Sequence, residues 1–384
     1  MASLTLTALA ENIYRARDTV ARELVGFLPA VLTNSDTDEV SINGTVNSIV
    51  TEAPTVNESL TPAMAIPEGD SQTIGVEQMS LDSVANVRIP ITGENARKLN
   101  NLGQYQTAID QMFAQAIRAL VNKVESKVAL KVLLGGSRAT GTAGTAPFGS
   151  THAIINDARK ILVDNGAGSE ELRAVIDTTA GVNFRNLSNL FKANEAGSDA
   201  MLRNGTLLNL SGMGIGESAQ VQSHTKGTGA GYLSDLTAGY AVGATEIHVD
   251  TGTGTILAGD VITFEGDANK YIVKTGFAGD GDGDIVLQSP GLRQTLATNV
   301  AATIGASYTA NSAFRRDAVE LALRPYAVPE GGDAATDRIV IADDMSPLVF
   351  DVNLYKGYKM NLMEINCVYG AKVWKPDFVT TILG

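Results

Sequence analysis

The chain has 384 residues, with 29 Lys and Arg against 42 Asp and Glu, a formal net charge of −13 at pH 7, one cysteine, three histidines and 39 glycines. One cysteine excludes an intrachain disulfide framework and any multi-cysteine zinc or iron–sulfur site, and the acidic balance argues against broad, charge-driven nucleic-acid binding. At roughly 100–200 residues per domain the length predicts two or three domains, and no apolar run reaches the roughly 18–20 residues that span a bilayer.

Residues 5–26 read as a helix, with Leu6, Leu9, Ile13, Val20 and Leu24 at helical spacing and Gly26 and Pro29 ending it. Ala8-Leu9-Ala10 imitates a signal-peptidase site, but no Lys or Arg precedes it and the apolar stretch is short, so a cytosolic chain is expected. From Glu23 through Val87 there is no Lys or Arg. This acidic window is rich in Thr, Ser, Val, Pro and Gly, with strand-like pieces at 46–50 and, just past it, 87–91. It reads as a long extended arm or hairpin that leans on something else, the simplest candidate being another copy of the chain.

Residues 103–134 carry the strongest helical period, through Ile109, Met112, Phe113, Ala116, Ile117, Leu120, Val124 and Val128. Such a helix would span about 48 Å at 1.5 Å per residue. The segment Arg88 to Arg138 has eight basic and three acidic residues, the reverse of the arm before it. Further on, 151–165 reads as a helix, 173–177 as a buried strand and 183–203 as a helix in two pieces.

Residues 205–310 hold 19 of the 39 glycines. Strand-like stretches at 245–250, 260–264, 270–274 and 284–288, each bounded by turn residues, predict a small β-barrel or sandwich inserted at about 217–308. Helical character is expected to return at Ala313–Leu323, and strands at 338–342, 348–355, 360–366 and 371–383 close the chain.

Motifs for chemistry are weak. Gly212–Gly216 and Gly227–Gly231 lack the G-x-G-x-x-G spacing, and there is no phosphate-binding loop, so no cofactor is expected. Gly279–Asp284 offers three carboxylates to calcium, but it lacks the twelfth-position Glu of an EF-hand loop, and an acidic hairpin turn built on Asp-Gly is the favoured reading. Cys367 lies in an apolar strand and reads as an inert core residue. Asp343-Asp344 face apart, and Trp374 reads as packing. No catalytic, cofactor or metal residues are assigned, and a structural or interaction role is favoured over enzymatic activity.

The order of several segments resembles a known family. Leu4-Thr5-Leu6-Thr7-Ala8-Leu9-Ala10 with Ile13-Tyr14, then Arg22 through Val31, is similar to the N-terminal signature of tailed-phage major capsid proteins of the Salmonella phage P-22 coat type. Gly243-Ala244-Thr245 with Leu257 through Thr263 resembles that family's inserted β-domain, and Ala313 through Ala318 its return. The resemblance implies an α+β Johnson capsid fold of the Hong Kong-97 type. Its parts would be an N-terminal arm (1–32), an extended loop (33–90), a peripheral domain with a spine helix (91–149), an axial domain (150–216 and 309–335), the insertion (217–308) and C-terminal strands (336–384). It implies hexamers and pentamers of the same chain, a scaffolding protein, a portal, a possible decoration protein, DNA enclosed without specific binding, and no membrane. The shell would be virion-borne and assembled in the host bacterial cytoplasm. The Lys–Asn cross-link of some members starts from a loop lysine, which 23–87 lacks, so a noncovalent shell is expected. Arg15, Arg17 and Arg22, with Asp36, Asp38, Glu39, Glu52, Glu58, Glu68 and Asp70, are the expected contacts between subunits. An encapsulin-like nanocompartment shell and, from another class, a secreted Gly-rich adhesin or carbohydrate-binding protein are the alternatives.

Overall fold

The computed structural model describes residues 25–51, 74–101, 103, 105–187, 209–343 and 346–384. Residues 5–24 of the helix expected at 5–26 lie outside them. In chain order the first elements are β1 (Leu32–Ser35), β2 (Thr45–Thr51), β3 (Ile74–Ser80), β4 (Ser83–Thr92), α1 (Gly93–Asn101) and α2 (Tyr105–Gly135). Then follow β5 (Arg138–Gly141), α3 (Ala153–Asp164), β6 (Leu172–Ile176), α4 (Thr178–Arg185) and β7 (Gly214–Glu217).

The glycine-rich stretch forms β8 (Ser223–His224), β9 (Tyr232–Ser234), β10 (Glu246–Gly252), β11 (Thr255–Ile256), β12 (Val261–Phe264), β13 (Lys270–Thr275), β14 (Phe277–Ala278), β15 (Gly281–Leu287) and β16 (Ala301–Ile304). The chain ends with β17 (Tyr308–Arg315), β18 (Val319–Arg324), β19 (Ala335–Asp343), β20 (Ser346–Gly357), β21 (Met360–Val373) and β22 (Val379–Leu383).

The first sheet is built around β21. Along one edge β21 pairs with β4 through Met360–Tyr369; along the other it pairs with β20 up to Asn366 and then with β18. Strand alternation sends Val352, Leu354, Met363, Ile365 and Cys367 to one face, where the buried side of α2 covers them with Ile109, Phe113, Ile117, Leu120, Val124 and Val128. Asp351, Asn353, Glu364 and Asn366 take the other face. A helical period that buries one stripe against a sheet is the reason α2 reads so clearly in sequence.

The second sheet runs β5–β22–β17–β6–β7, with β22 parallel to β5 and β6 parallel to β7. Its core gathers Ile155, Leu162, Ile176, Phe184 and Ile382 from α3, α4 and the strands, with Phe148 from the loop after β5. Here α4 starts at Thr178, ahead of the expected 183, because Asp177 caps it by accepting from the N–H groups of Thr179 and Ala180. The rest of the expected helical stretch, 188–203, lies outside the described residues.

One expectation is corrected. Ala313–Leu323 is not helical: it is the end of β17, a 3-10 turn at Arg316–Ala318 and most of β18. Every residue of β18 is buried. A strand covered on both faces loses its period-two signature, and an Ala- and Leu-rich run of this kind then imitates a helix.

The glycine-rich segment closes on itself in the order β12–β16–β9–β10–β15–β13, with a further β12–β13 pairing that completes a barrel. Tyr232, Ile247, Val249, Ile262, Phe264, Tyr271, Val273 and Ile285 fill it. It is joined to the second sheet rather than tethered beside it. Lys270 and Tyr271 pair with Ala139 and Arg138 of β5, and Val261, Ile272, Leu133 and Tyr308 share a buried cluster at the joint.

Candidate assembly surface

Among the described residues β2 and β3 pair only with each other, from Thr45↔Ser80 to Thr51↔Ile74. They form a two-stranded ribbon, and Ser83–Thr92, which follows it, is taken into the first sheet as β4. The ribbon exposes Val76 by 58%. Its root is held firmly: Met79 and Leu81 are buried with Ala322 and Val368, and Lys372 Nζ reaches Glu77 Oε2 at 2.7 Å and the Gln78 carbonyl at 3.0 Å. The same lysine lies 4.3 Å from the centre of the Trp374 ring, whose Nε1 donates to Glu320 at 2.6 Å. Trp374 is thus a packing residue at the root. A Cβ at Gly370 would lie 2.4 Å from the Ser80 carbonyl oxygen, so glycine is what lets β21 pass under the ribbon.

The acidic window finds several partners inside its own chain. Asp82 pairs with Lys127 of α2 at 3.0 Å, Glu77 with Lys372, and Glu39 with Arg338. Burial alone would raise the Asp82 pKa, but the Lys127 and Ser83 hydrogen bonds outweigh it and the net shift is downward. The Val328 N–H, then Arg338, holds Glu39 low. This amends the expectation that the arm's complement must come from a neighbour: at these three carboxylates it comes from Lys127, Lys372 and Arg338 of the same molecule. Asp36 accepts from the N–H groups of Thr37 at 2.7 Å and Asp38 at 3.4 Å, closing a local exposed turn, and Asp38 is itself exposed. Arg15, Arg17, Arg22, Glu52, Glu58, Glu68 and Asp70 lie outside the described residues.

The residues weighed for chemistry are otherwise engaged. Asp280 accepts from the Gly254 N–H at 2.6 Å, whereas Asp282 and Asp284 both turn to His248. The three carboxylates thus serve two places. The Asp284 hydrogen bond raises the His248 pKa. Among the described residues no three His, Cys, Asp or Glu side chains could hold one metal ion. Cys367 is fully buried and its thiol is pushed up to about 12 by that burial. Asp344 lies outside the described residues.

Sequence reasoning passed over Glu125, a carboxylate with 0% exposure in the middle of α2, and the polar face of β20 and β21. The signal for the second was present as two alternating pairs, Asp351-x-Asn353 and Glu364-x-Asn366.

No family model matches the chain, and no curated protein matches it. Solved structures resemble it at low identity. A chain from Mycobacterium phage Che8 shares 16% identity at a TM-score of 0.46, over 88% of this chain and 84% of that one. The capsid of cyanophage P-SCSP1u shares 12% at 0.49, over 94% and 88%. A virus-like particle from Pyrococcus furiosus shares 8% at 0.43, over 97% and 98%.

Proposed function

We propose that this chain is a structural protein that works by meeting copies of itself to form a closed shell. More narrowly, it is the major capsid protein of a tailed double-stranded DNA phage, built on the Johnson fold with a β-barrel insertion. The observation that carries this reading is the β2–β3 ribbon. A two-stranded ribbon is marginally stable alone in water, and this one shows Val76 to solvent while its root is anchored by Met79, Leu81 and Lys372. A ribbon secured at one end that shows an apolar residue to solvent beyond its root is built to lie on a second molecule. The resemblance of Leu4–Val31 and Ala313–Ala318 to the phage coat family supports the same reading.

In this reading the N-arm arginines Arg15, Arg17 and Arg22 meet acidic residues of a neighbour, Asp36, Asp38, Glu52, Glu58, Glu68 and Asp70 among them. Glu39 is engaged in its own chain and adds to that surface only if Arg338 is displaced. Single exposed pairs contribute about 0–1 kcal/mol each, so such contacts are reversible and salt-sensitive, and repetition supplies the strength. The shell is noncovalent, since the ribbon and its flanks offer no lysine for a cross-link. A scaffolding protein and a portal accompany assembly, and the acidic subunit encloses DNA without binding it specifically.

Negative-stain electron microscopy of the purified chain, alone and with the scaffolding protein encoded beside it, tests the reading. Closed shells support it; a monomer under every condition, with or without a bound glycan, overturns it. A gene flanked by portal and terminase genes distinguishes a phage coat from a cellular nanocompartment flanked by a cargo enzyme.

A further inference from the structure

The face of the first sheet turned away from α2 holds a cleft of about 430 Å³ between β20, β21, β4 and the 326–333 loop. Its floor is polar and deeply buried. Asp351, 1% exposed, accepts from Arg338 Nε at 2.7 Å and from Asn353 Nδ2 at 2.9 Å. That second bond orients the Asn353 amide: flipping it would place two oxygens together, so Oδ1 is turned away from Asp351. Asn353 is 3% exposed and its Oδ1 has no hydrogen-bond partner; Asn366, 8% exposed, also leaves its Oδ1 unpartnered. Asn353 stands opposite Glu364, and Asn366 opposite Asp351, so the two amides are diagonal neighbours on adjacent strands. Buried acceptors of this kind are almost always met by a donor.

The surroundings say which donor fits. The carboxylates of Glu39, Asp333, Asp351 and Glu364 face two guanidiniums, Arg88 and Arg338, which leaves two formal negative charges over. The rim carries exposed apolar side chains: Ile42 at 47%, Tyr326 at 40% and Val84 at 36%. A negative floor with free carbonyl oxygens beneath an apolar rim matches a long side chain with a methylene stem and a compact multi-donor head. The absence of any three-residue metal group among the described residues points away from a bare divalent ion.

We infer that this cleft is a socket for a lysine side chain of a second copy of the chain, its ammonium donating to Asn353 Oδ1 and Asn366 Oδ1 and its stem lying along Ile42 and Val84. No bond forms or breaks; the contact is ionic and hydrogen-bonded. The identity of the partner as a second copy rests on the shell reading, whereas the chemistry of the socket does not.

Two measurements test it. With the unassembled full chain, N-acetyl-lysine amide is titrated against N-acetyl-norleucine amide and followed by NMR. The lysine amide binds saturably and about tenfold or more tighter, the factor expected for charge-assisted hydrogen bonds. Equal affinities overturn the inference. Asn366→Leu removes one orphaned acceptor, so the free subunit unfolds at the same or higher urea concentration while assembly falls about tenfold. Assembly at the wild-type level by a folded Asn366→Leu chain overturns the second-copy assignment. A chain that binds the lysine amide but never forms shells refutes the proposed function and leaves the socket standing.

Discussion

Glu125 Oε1 accepts the backbone N–H of Gly26 at 2.8 Å, although 99 residues separate the two in sequence. The same oxygen takes the Phe27 N–H at 3.2 Å and the Ser218 hydroxyl, so one buried carboxylate ties the spine helix to the incoming N-terminal segment and to the turn after β7. Gly26 is needed there because a Cβ would sit 2.7 Å from the Glu217 carbonyl oxygen. Glu125→Ala would strand three donors in the interior, and we expect a loss of about 3 kcal/mol in urea unfolding.

Burial raises the Glu125 pKa against the hydrogen bonds that lower it. The folded chain therefore keeps this proton to a higher pH than the unfolded chain does. Its contribution is most favourable below the ordinary glutamate range and declines as pH rises through the elevated folded value. Glu125→Gln keeps an acceptor and removes the charge, so its stability profile lacks this decline. Urea midpoints across pH for both proteins check the sign; an identical slope in the two would refute it.

Arg338 is the partner of a carboxylate that is 1% exposed. Arg338→Ala leaves Asp351 buried without its counter-ion, and the expected cost is about 3 kcal/mol or more. Adding Asp351→Asn should recover a substantial part of it. Failure of the double variant to recover would place the effect in the lost packing of the arginine stem.

Cys367 is walled in between β4 and β20 beneath α2, and its thiol is held neutral. A thiol reagent at pH 8 should leave the folded chain unlabelled and react with one group per chain in urea. Fast labelling without denaturant would contradict the burial.

Gly370 passes 2.4 Å, measured from a built Cβ, beneath Ser80 at the ribbon root. Gly370→Ala forces the ribbon off β21 and is expected to cost about 1–3 kcal/mol by overpacking. Shell assembly should suffer more than subunit stability, since the root sets the angle at which the ribbon leaves. Normal particles from this variant would show that the angle does not matter.

Much of the architecture was legible because burial on one face leaves a period in the residues. The stripe from Ile109 to Val128 announced α2, and Asp-Gly and Gly-rich turns between short apolar strands announced the barrel. The legible part stops where burial becomes two-sided: β18 is covered on both faces, and Ala313–Leu323 then carried no strand signature. The joint between β13 and β5 was hidden for another reason, since Lys270 stands opposite Ala139 and Tyr271 opposite Arg138, partners too far apart in sequence for any local pattern to announce. Of the expected contact residues, Glu39 was recognised as a charge to be met, but its partner 299 positions away was beyond any local pattern.

The length of α2 has a mechanical consequence. Its buried stripe from Ile109 to Val132 lies along the first sheet, and at its far end Gly135 abuts Val373 of that sheet while the Leu134 carbonyl accepts from Gln288 of the barrel. Thirty-one residues make a rod about 46 Å long at 1.5 Å per residue, so a tilt of about 5° at one end carries the other by about 4 Å. The rod acts as a lever. It moves with the sheet it lies along, so a small rotation of that sheet would arrive at the barrel as a displacement comparable to a strand spacing.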